Sequence, residues 1–279
     1  MRVKFATLSE NTVAGVGFIG EWGLSILVET DELTILLDTG PGRSAAFNAD
    51  QMGIDLAKVD KIVLSHGHFD HTGGLKEILQ KTGGVDVIAH PDIWATKYAL
   101  PKGQQSRMIG IPFTQSKLEK SGAGFTLSRD PVWITDHIVT TGEIPMTTDF
   151  EKIDSNLYVE DDGEVFPDEL LDDRGMIIKT DAGLIVFSGC AHRGIINTLY
   201  HACEIAAEDR IYAVVGGTHL IRASEQRVAL TIAELKRLGV KKIGVSHCTG
   251  QWASAVLAKE FGPDIFFFNN AGTQMTLME

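Results

Sequence analysis

The chain reads as an α/β protein, and three observations predict this. Short apolar runs rich in Val, Ile, Leu and Phe alternate with stretches of helical period along most of its 279 residues. The apolar runs end repeatedly in Gly, His or Asn, which places polar chemistry at strand termini. No linker and no short-period repeat interrupts the pattern, so one domain over residues 1–279, made of two pseudo-equivalent halves, is expected.

Residues 3–8, 24–29 and 33–38 are β-rich runs, the last two joined by the tight turn Thr30-Asp31-Glu32, so an antiparallel sheet opens the chain. Ile62-Val63-Leu64 reads as a buried strand. A helix over 75–81 follows the Gly73-Gly74 pair, 85–89 is a strand, and 92–98 is expected to be a helix begun by Pro91 and Asp92. From 100 to 125 the chain turns to Pro, Gly, Gln and Ser, which predicts an irregular insertion at about 100–130 able to cover a site as a lid. Strand resumes over 132–140, and 176–179 with 184–188 form a hairpin around Asp181-Ala182-Gly183. The second half then alternates: helix 194–207, strand 211–215, helix 224–238, strand 242–245, helix 252–261 and strand 265–268.

A hydrophobic content of 44% describes a soluble globular chain with enough apolar mass for a large core. No apolar run reaches the ~20 residues of a membrane helix, and the start lacks the apolar stretch of a secretory leader. Three widely spaced cysteines, Cys190, Cys203 and Cys248, suit a reducing compartment, and the cytoplasm is expected. A net charge of −12 argues against nucleic acid as partner. The acidity concentrates in residues 149–173, where eleven Asp and Glu face the single Lys152, a pattern expected of an exposed acidic loop. Exposed edge strands and the 104–120 excursion are the segments a homodimer would use.

The densest chemistry is Ser65-His66-Gly67-His68-Phe69-Asp70-His71-Thr72-Gly73-Gly74, three imidazoles and a carboxylate within six positions. Such density points to metal, because borderline cations favour imidazole nitrogen and carboxylate oxygen. In an extended His-x-His both rings leave on one side, whereas Asp70 and His71 diverge, so two sub-sites follow. Further donors are needed to enclose two ions, and two strand ends supply them: Ser188-Gly189-Cys190-Ala191-His192 and Ser246-His247-Cys248. The reading joins His192 to His66 and His68 on one ion and groups Asp70, His71 and His247 on the other. Zinc is the foremost ion, although the same donors accept iron, manganese or magnesium.

The His-x-His-x-Asp-His run resembles that of the metallo-β-lactamase superfamily, as do the order and spacing of the motifs along the whole chain. Thr141-Gly142-Glu143-Ile144-Pro145, Ser188-Gly189-Cys190-Ala191-His192, Gly216-Gly217-Thr218-His219-Leu220 and His247-Cys248-Thr249-Gly250 resemble one branch of it. That branch contains methanopterin-pathway dihydropterin synthases and many metal-dependent hydrolases. The resemblance implies an αββα sandwich, two mixed β-sheets flanked by helices, with the metal site at one edge. It also implies that Asp38, in Leu37-Asp38-Thr39-Gly40, lies beneath the histidines and fixes an imidazole by accepting its far N–H. Two positions depart from the wider superfamily. Cys190 stands where a bridging Asp is usual, and Glu143 follows Thr141-Gly142 where His is usual, so both are candidate donors or supports of donors.

Two such ions acidify water and polarise a phosphoryl or carbonyl oxygen, so hydrolysis by a metal-bound hydroxide is the default expectation. Asp70 would orient that nucleophile and ferry a proton, and His219 would act as general acid, bind an anionic group of the substrate or complete the metal shell. Arg193, at a helix start, and Arg222, after His219, are the cations placed to meet an anionic small substrate, a phosphate ester foremost. The branch resemblance offers a transferase instead, joining a dihydropterin-methyl diphosphate to an aminobenzene ribofuranosyl phosphate. A metal sensor without catalysis is the third reading.

Overall fold

The opening antiparallel hairpin grows into a seven-stranded sheet in the computed structural model of the protein, which describes residues 1–278 other than 101, 102 and 104. Its strands are β1 (Val3–Ser9), β2 (Ser25–Thr30), β3 (Thr34–Leu37), β4 (Lys61–Val63), β5 (Val85–Ala89) and β8 (Ala123–Leu127), with the C-terminal β17 (Gln274–Met278) on the outer side of β1. From β3 through β4 and β5 to β8 the pairing is parallel. Helices α1 (Ser44–Gln51), α2 (Phe69–Thr72), α3 (Leu75–Thr82) and α4 (Gln115–Glu119) belong to this half.

The second half repeats the scheme. Strands β9 (Ile138–Thr140), β12 (Gly175–Thr180), β13 (Gly183–Ser188), β14 (Ile211–Gly217), β15 (Lys242–Ser246) and β16 (Phe266–Phe268) form a six-stranded sheet, antiparallel across β9, β12 and β13 and parallel from β13 to β16. Helices α5 (Ile195–Ala206), α6 (Glu225–Arg237) and α7 (Gln251–Phe261) cover its outer face.

Period-two burial explains the layering. In β13, Ile185 and Phe187 join the core between the sheets, while Leu184 and Val186 join the core under α5, α6 and α7. In β4, Val63 faces the inter-sheet core and Ile62 faces the core under α1 and α3. Strands buried on both faces read as continuous apolar runs, which is why β4, β13, β14 and β15 are legible in the sequence. The expected αββα sandwich of mixed sheets is therefore present.

A third, wholly antiparallel sheet was not expected. It runs in the order β11 (Glu164–Pro167), β10 (Leu157–Asp161), β6 (Thr96–Ala99), β7 (Arg107–Met108). Three sequence expectations are corrected here. Residues 92–98 are not a helix: a short 3₁₀ turn, Pro91–Trp94, gives way to β6, because pairing with β10 outweighs the local helical pattern. Residues 132–140 keep only β9 as strand, since 133–137 fold back onto it through the Trp133–Val139 bridge. The 100–130 insertion, whose residues 101, 102 and 104 lie outside the described structure, is more regular than expected. It contains β7, α4 and the sheet strand β8, and it reaches the histidine run through a bridge between His68 and Gly110.

The acidic stretch is likewise no uniformly exposed loop. β11 is exposed, but Glu151, Asp168, Asp172 and Asp173 are buried. Lys97, itself 1% exposed, donates to Asp168 Oδ2 at 2.7 Å and to Asp172 Oδ1 at 2.9 Å. The second oxygen of Asp172 accepts the Gly67 N–H at 2.7 Å, between the two histidines of His66-Gly67-His68. A buried charge network of this kind is costly to break, because removing one member strands the others. Lys97→Ala should therefore lower unfolding free energy by about 3 kcal/mol or more in urea denaturation. Lys61→Ala, which breaks the exposed Lys61–Asp86 pair, should cost under about 1 kcal/mol.

Candidate metal centre

The parallel strands of both sheets deliver their C-terminal ends to one edge of the sandwich, and the loops that leave them carry the candidate donors. After β4 the chain runs extended through His66 and His68, the residue that precedes α2, so Asp70 and His71 fall in the first turn of that helix and are buried. Adjacent strands β13, β14 and β15 are in register, Ser188 beside Gly216 and Gly217 beside Ser246. Cys190 and His192, His219, and His247 and Cys248 therefore leave the same edge side by side.

The turn-out of these loops is strained. Asp38, Ala191, His219 and His247 adopt left-handed φ of 58°, 55°, 48° and 52°. Each is a non-glycine residue in a sparsely populated region at a cost of about 1–3 kcal/mol, the kind of strain that concentrates at functional sites. Where the approach is closest, only glycine fits. A Cβ on Gly217 would lie 2.6 Å from Cys248 Sγ, and one on Gly189 would lie 2.0 Å from Ser65 Oγ.

The result is a nest of buried donors. His66, His68 and His192 have ring nitrogens within 4.8 Å of one another, and Asp70, His71 and His247 form a second such set. Cys190 adjoins both, grouping with His66 and His71, with His192 and His219, and with His247 and Cys248. His66 Nε2 and His68 Nδ1 are 3.0 Å apart, and Cys190 Sγ lies 3.2 Å from His71 Nε2. His68 Nε2, both nitrogens of His192 and His219 Nδ1 are buried without a hydrogen-bond partner among the described residues. The neutral His68 and His192 rings, with orphaned nitrogens converging on thiols and a carboxylate, are costly unless a cation satisfies them, so the donor set fits divalent metal.

Outer contacts hold these donors. Asp38, fully buried at the end of β3, accepts from Ser65 N at 2.7 Å, Ser65 Oγ at 2.6 Å and His71 Nδ1 at 2.6 Å. His247 Nδ1 lies 2.9 Å from Asn11 Oδ1, which leaves its Nε2 to face Asp70 Oδ2 at 3.4 Å. His219 Nε2 lies 3.3 Å from Asp154 Oδ2. Electrostatics follow from these partners. Burial among other rings keeps His66 and His192 neutral, with pKa values well below the ordinary range, and brings His68 to about 3. Burial opposes charge at His71 and His219 as well, but Asp38 and Asp154 outweigh it and raise each to about 9. Burial also disfavours the Asp70 carboxylate, yet the His247 hydrogen bond and the surrounding imidazoles hold it ionised.

A cavity of about 350 Å³ opens over the donors. His68, Asp70, Cys190, His192, His219, His247 and Cys248 reach its surface, and Arg107 and Arg222 stand exposed on its wall. Two sequence candidates lie elsewhere. Glu143 is drawn away from the nest by His90 Nε2 at 3.0 Å and Arg129 Nη1 at 2.7 Å. Arg193 does not reach the cavity, because its guanidinium is bound to the carbonyls of Ile144 and Glu169. Sequence reasoning missed Cys248 as a donor, Asn11 and Asp154 as partners of His247 and His219, and Arg107 as a wall cation. Cys248 alone carried a signal, its adjacency to His247; the other three are brought in by long-range packing.

Comparison with known proteins agrees with this architecture. The sequence profile of the metallo-beta-lactamase superfamily matches residues 23–247. The chain is 37% identical over 277 residues, 94% of its length and 92% of the relative's, to a 7,8-dihydropterin-6-methyl-4-(beta-D-ribofuranosyl)-aminobenzene-5'-phosphate synthase of Methanocaldococcus jannaschii. An uncharacterised protein of the same organism is 30% identical over 84% of this chain and 86% of its own. Among solved structures, Tm1679, a metal-dependent hydrolase of the beta-lactamase superfamily, superposes with a TM-score of 0.84 over 98% of both chains at 28% identity. With its strand-end donors, its paired mixed sheets and a profile match across most of its length, the chain belongs to the metallo-β-lactamase superfamily.

Proposed function

We propose that the protein is a metal-dependent enzyme that cleaves a small phosphate- or diphosphate-bearing substrate, with water as the acceptor. One observation carries this reading: a nest of imidazole, carboxylate and thiol donors, with unpartnered ring nitrogens on His68 and His192, floors a cavity whose wall bears Arg107 and Arg222. His66, His68 and His192 would hold one ion, and Asp70, His71 and His247 a second, with Cys190 between them. When bound there, divalent ions supply an acidified water and offset charge developing on the phosphoryl oxygens.

The chain's own groups account for the rest. Asp70, ionised and at the cavity surface, accepts a proton from the attacking water and holds its orientation through the fixed His247. His219, kept protonated by Asp154, stands ready to donate to the departing oxygen. Arg107 and Arg222 bind the non-reacting phosphate oxygens and lower the cost of bringing an anion to the site.

A second reading is favoured by the relative named a synthase, which this chain resembles over 94% of its length. There an arylamine replaces water as acceptor, and diphosphate leaves. The two readings share the donor nest and differ in the acceptor.

His68→Ala and His247→Ala should each lower bound metal, read by elemental analysis of the purified protein, and reduce turnover by roughly a hundredfold. His137→Ala, at a ring exposed beside Glu32, should change neither, and unaltered metal in both site variants would refute the assignment. Reaction in ¹⁸O-water distinguishes the acceptors: label in the released phosphate supports hydrolysis, whereas diphosphate release that requires an added arylamine supports transfer. Arg107→Ala and Arg222→Ala should each raise KM about tenfold with kcat little changed, since a charge-assisted hydrogen bond contributes about 1.5–3 kcal/mol.

A further inference from the structure

The proposed chemistry leaves one buried nucleophile without a task. Cys248 belongs to neither set of ion ligands named above, yet it is buried and its side chain lines the metal cavity. Its neighbour across the site is Cys190, likewise buried and on the cavity surface. Cys190 Sγ, Cys248 Sγ and a ligand atom of His247 lie within 4.8 Å of one another, and the Cys248 thiol donates to the Cys190 carbonyl at 3.4 Å.

Sequence separation hides this pair, and the sheet creates it. Cys190 follows the end of β13, and Cys248 sits in the one-turn 3₁₀ helix His247–Thr249 that follows β15. β14 runs between those two strands, so a side chain at its end would hold the thiols apart. Gly217 stands there, and a Cβ on it would lie 2.6 Å from Cys248 Sγ and 3.2 Å from Cys190 Cα. The path from one sulfur to the other is therefore open, and rotation about the two Cα–Cβ bonds carries the sulfurs toward bonding distance.

We propose that Cys190 and Cys248 form a reversible redox-modification site, a dithiol that a hydroperoxide entering the cavity converts into a disulfide. The Cys190 thiolate takes one peroxide oxygen and becomes a sulfenic acid, while the other oxygen leaves and is protonated to an alcohol or water. The Cys248 thiolate then attacks the Cys190 sulfur. The S–S bond forms, the S–O bond breaks, and the departing hydroxide takes up a proton to become water. Two electrons pass from the thiol pair to the peroxide, and a small dithiol returns them by exchange.

The consequence falls on the metal. Cys190 is the donor that adjoins both histidine sets, and a sulfur held in a disulfide has no thiolate to offer a cation. The disulfide and an ion at Cys190 exclude one another, a coupling that rests on the reading of the nest as metal-holding.

The test treats zinc-loaded protein with hydrogen peroxide and maps its peptides. Trypsin places the three cysteines in separate fragments, 180–193, 194–210 and 243–259, so the link is read directly. Fragments 180–193 and 243–259 should be joined, while Cys203, half-buried on α5 and outside the cavity lining, stays open to alkylation. Bound zinc should fall as the link forms, and dithiothreitol should restore both thiols and zinc uptake. Free zinc at about ten times its dissociation constant should slow the link about tenfold, as competition for one sulfur requires. Cys248→Ala should give no link and leave Cys190 as a sulfenic acid that dimedone captures, and Cys203→Ser should behave as native. Cys190 and Cys248 left intact or oxidised separately in the native protein overturns the proposal, as does a joined form that keeps its zinc. Joined fragments in a protein that takes up no zinc when reduced support the thiol pair and refute the metal-holding reading instead.

Discussion

The carboxylate of Asp38 is the contact on which the site depends. It is fully excluded from solvent, where an unpaired charge would be prohibitive, and it is tolerated because both oxygens are occupied by Ser65 N, Ser65 Oγ and His71 Nδ1. Those three contacts lock the loop after β4 onto the end of β3 and fix which nitrogen of His71 faces the donor nest. The same carboxylate joins the two halves of the sandwich. Gly189, at the exit of β13, packs so closely that a Cβ there would lie 2.9 Å from Asp38 Oδ2. The distance between the histidine run of the first half and Cys190 and His192 of the second is thus set by one buried acid and one missing side chain.

This arrangement follows from sheet geometry. Parallel strands place all their C-terminal ends on one edge, so a sandwich with a parallel stretch in each sheet has two such edges to bring together. Donors that are far apart in sequence, such as His71 and His247, then become neighbours, with ring centroids 5.1 Å apart. The left-handed backbone at Asp38, Ala191, His219 and His247 is the local cost of turning side chains inward at those ends. Flanking strands with apolar cores on both faces are rigid enough to sustain it.

Most of this was legible because its signals are local. Three histidines and an aspartate in six positions declare a site without knowledge of the fold, and β13, β14 and β15 announce themselves as apolar runs that stop at Gly or His. What could not be read depended on partners distant in sequence. Glu143 occupies a suggestive motif position, yet His90 and Arg129 claim its carboxylate. Arg193 sits beside His192 in sequence, but carbonyls from two other segments hold its guanidinium. Residues 96–99 carry a helical pattern that pairing with β10 overrides, and β17 escapes notice because its role, closing the sheet beside β1, is defined by the chain's other end. Trp22 and Asn11 reach the site from the loop between β1 and β2, in which no motif points to His247.

The charge distribution resolves an apparent conflict in the proposed chemistry. A chain of net charge −12 repels anions at long range, yet the proposed substrate is an anion. Screening at physiological ionic strength confines that repulsion to about 8 Å, so groups at the cavity decide the encounter. The buried acids of the 149–173 stretch are withdrawn from play: Asp168 and Asp172 are bound to Lys97, and Glu151 accepts the N–H groups of Ile196 and Asn197 at the start of α5. Asp154 is paired with His219. Arg107 and Arg222 are left as the exposed charges of the wall. The acidic segment therefore does structural work at the site, steadying the His66-Gly67-His68 backbone through Asp172 and the His219 ring through Asp154. A patch that looks hostile to an anionic substrate in the sequence is, once folded, part of what makes the cavity able to receive one.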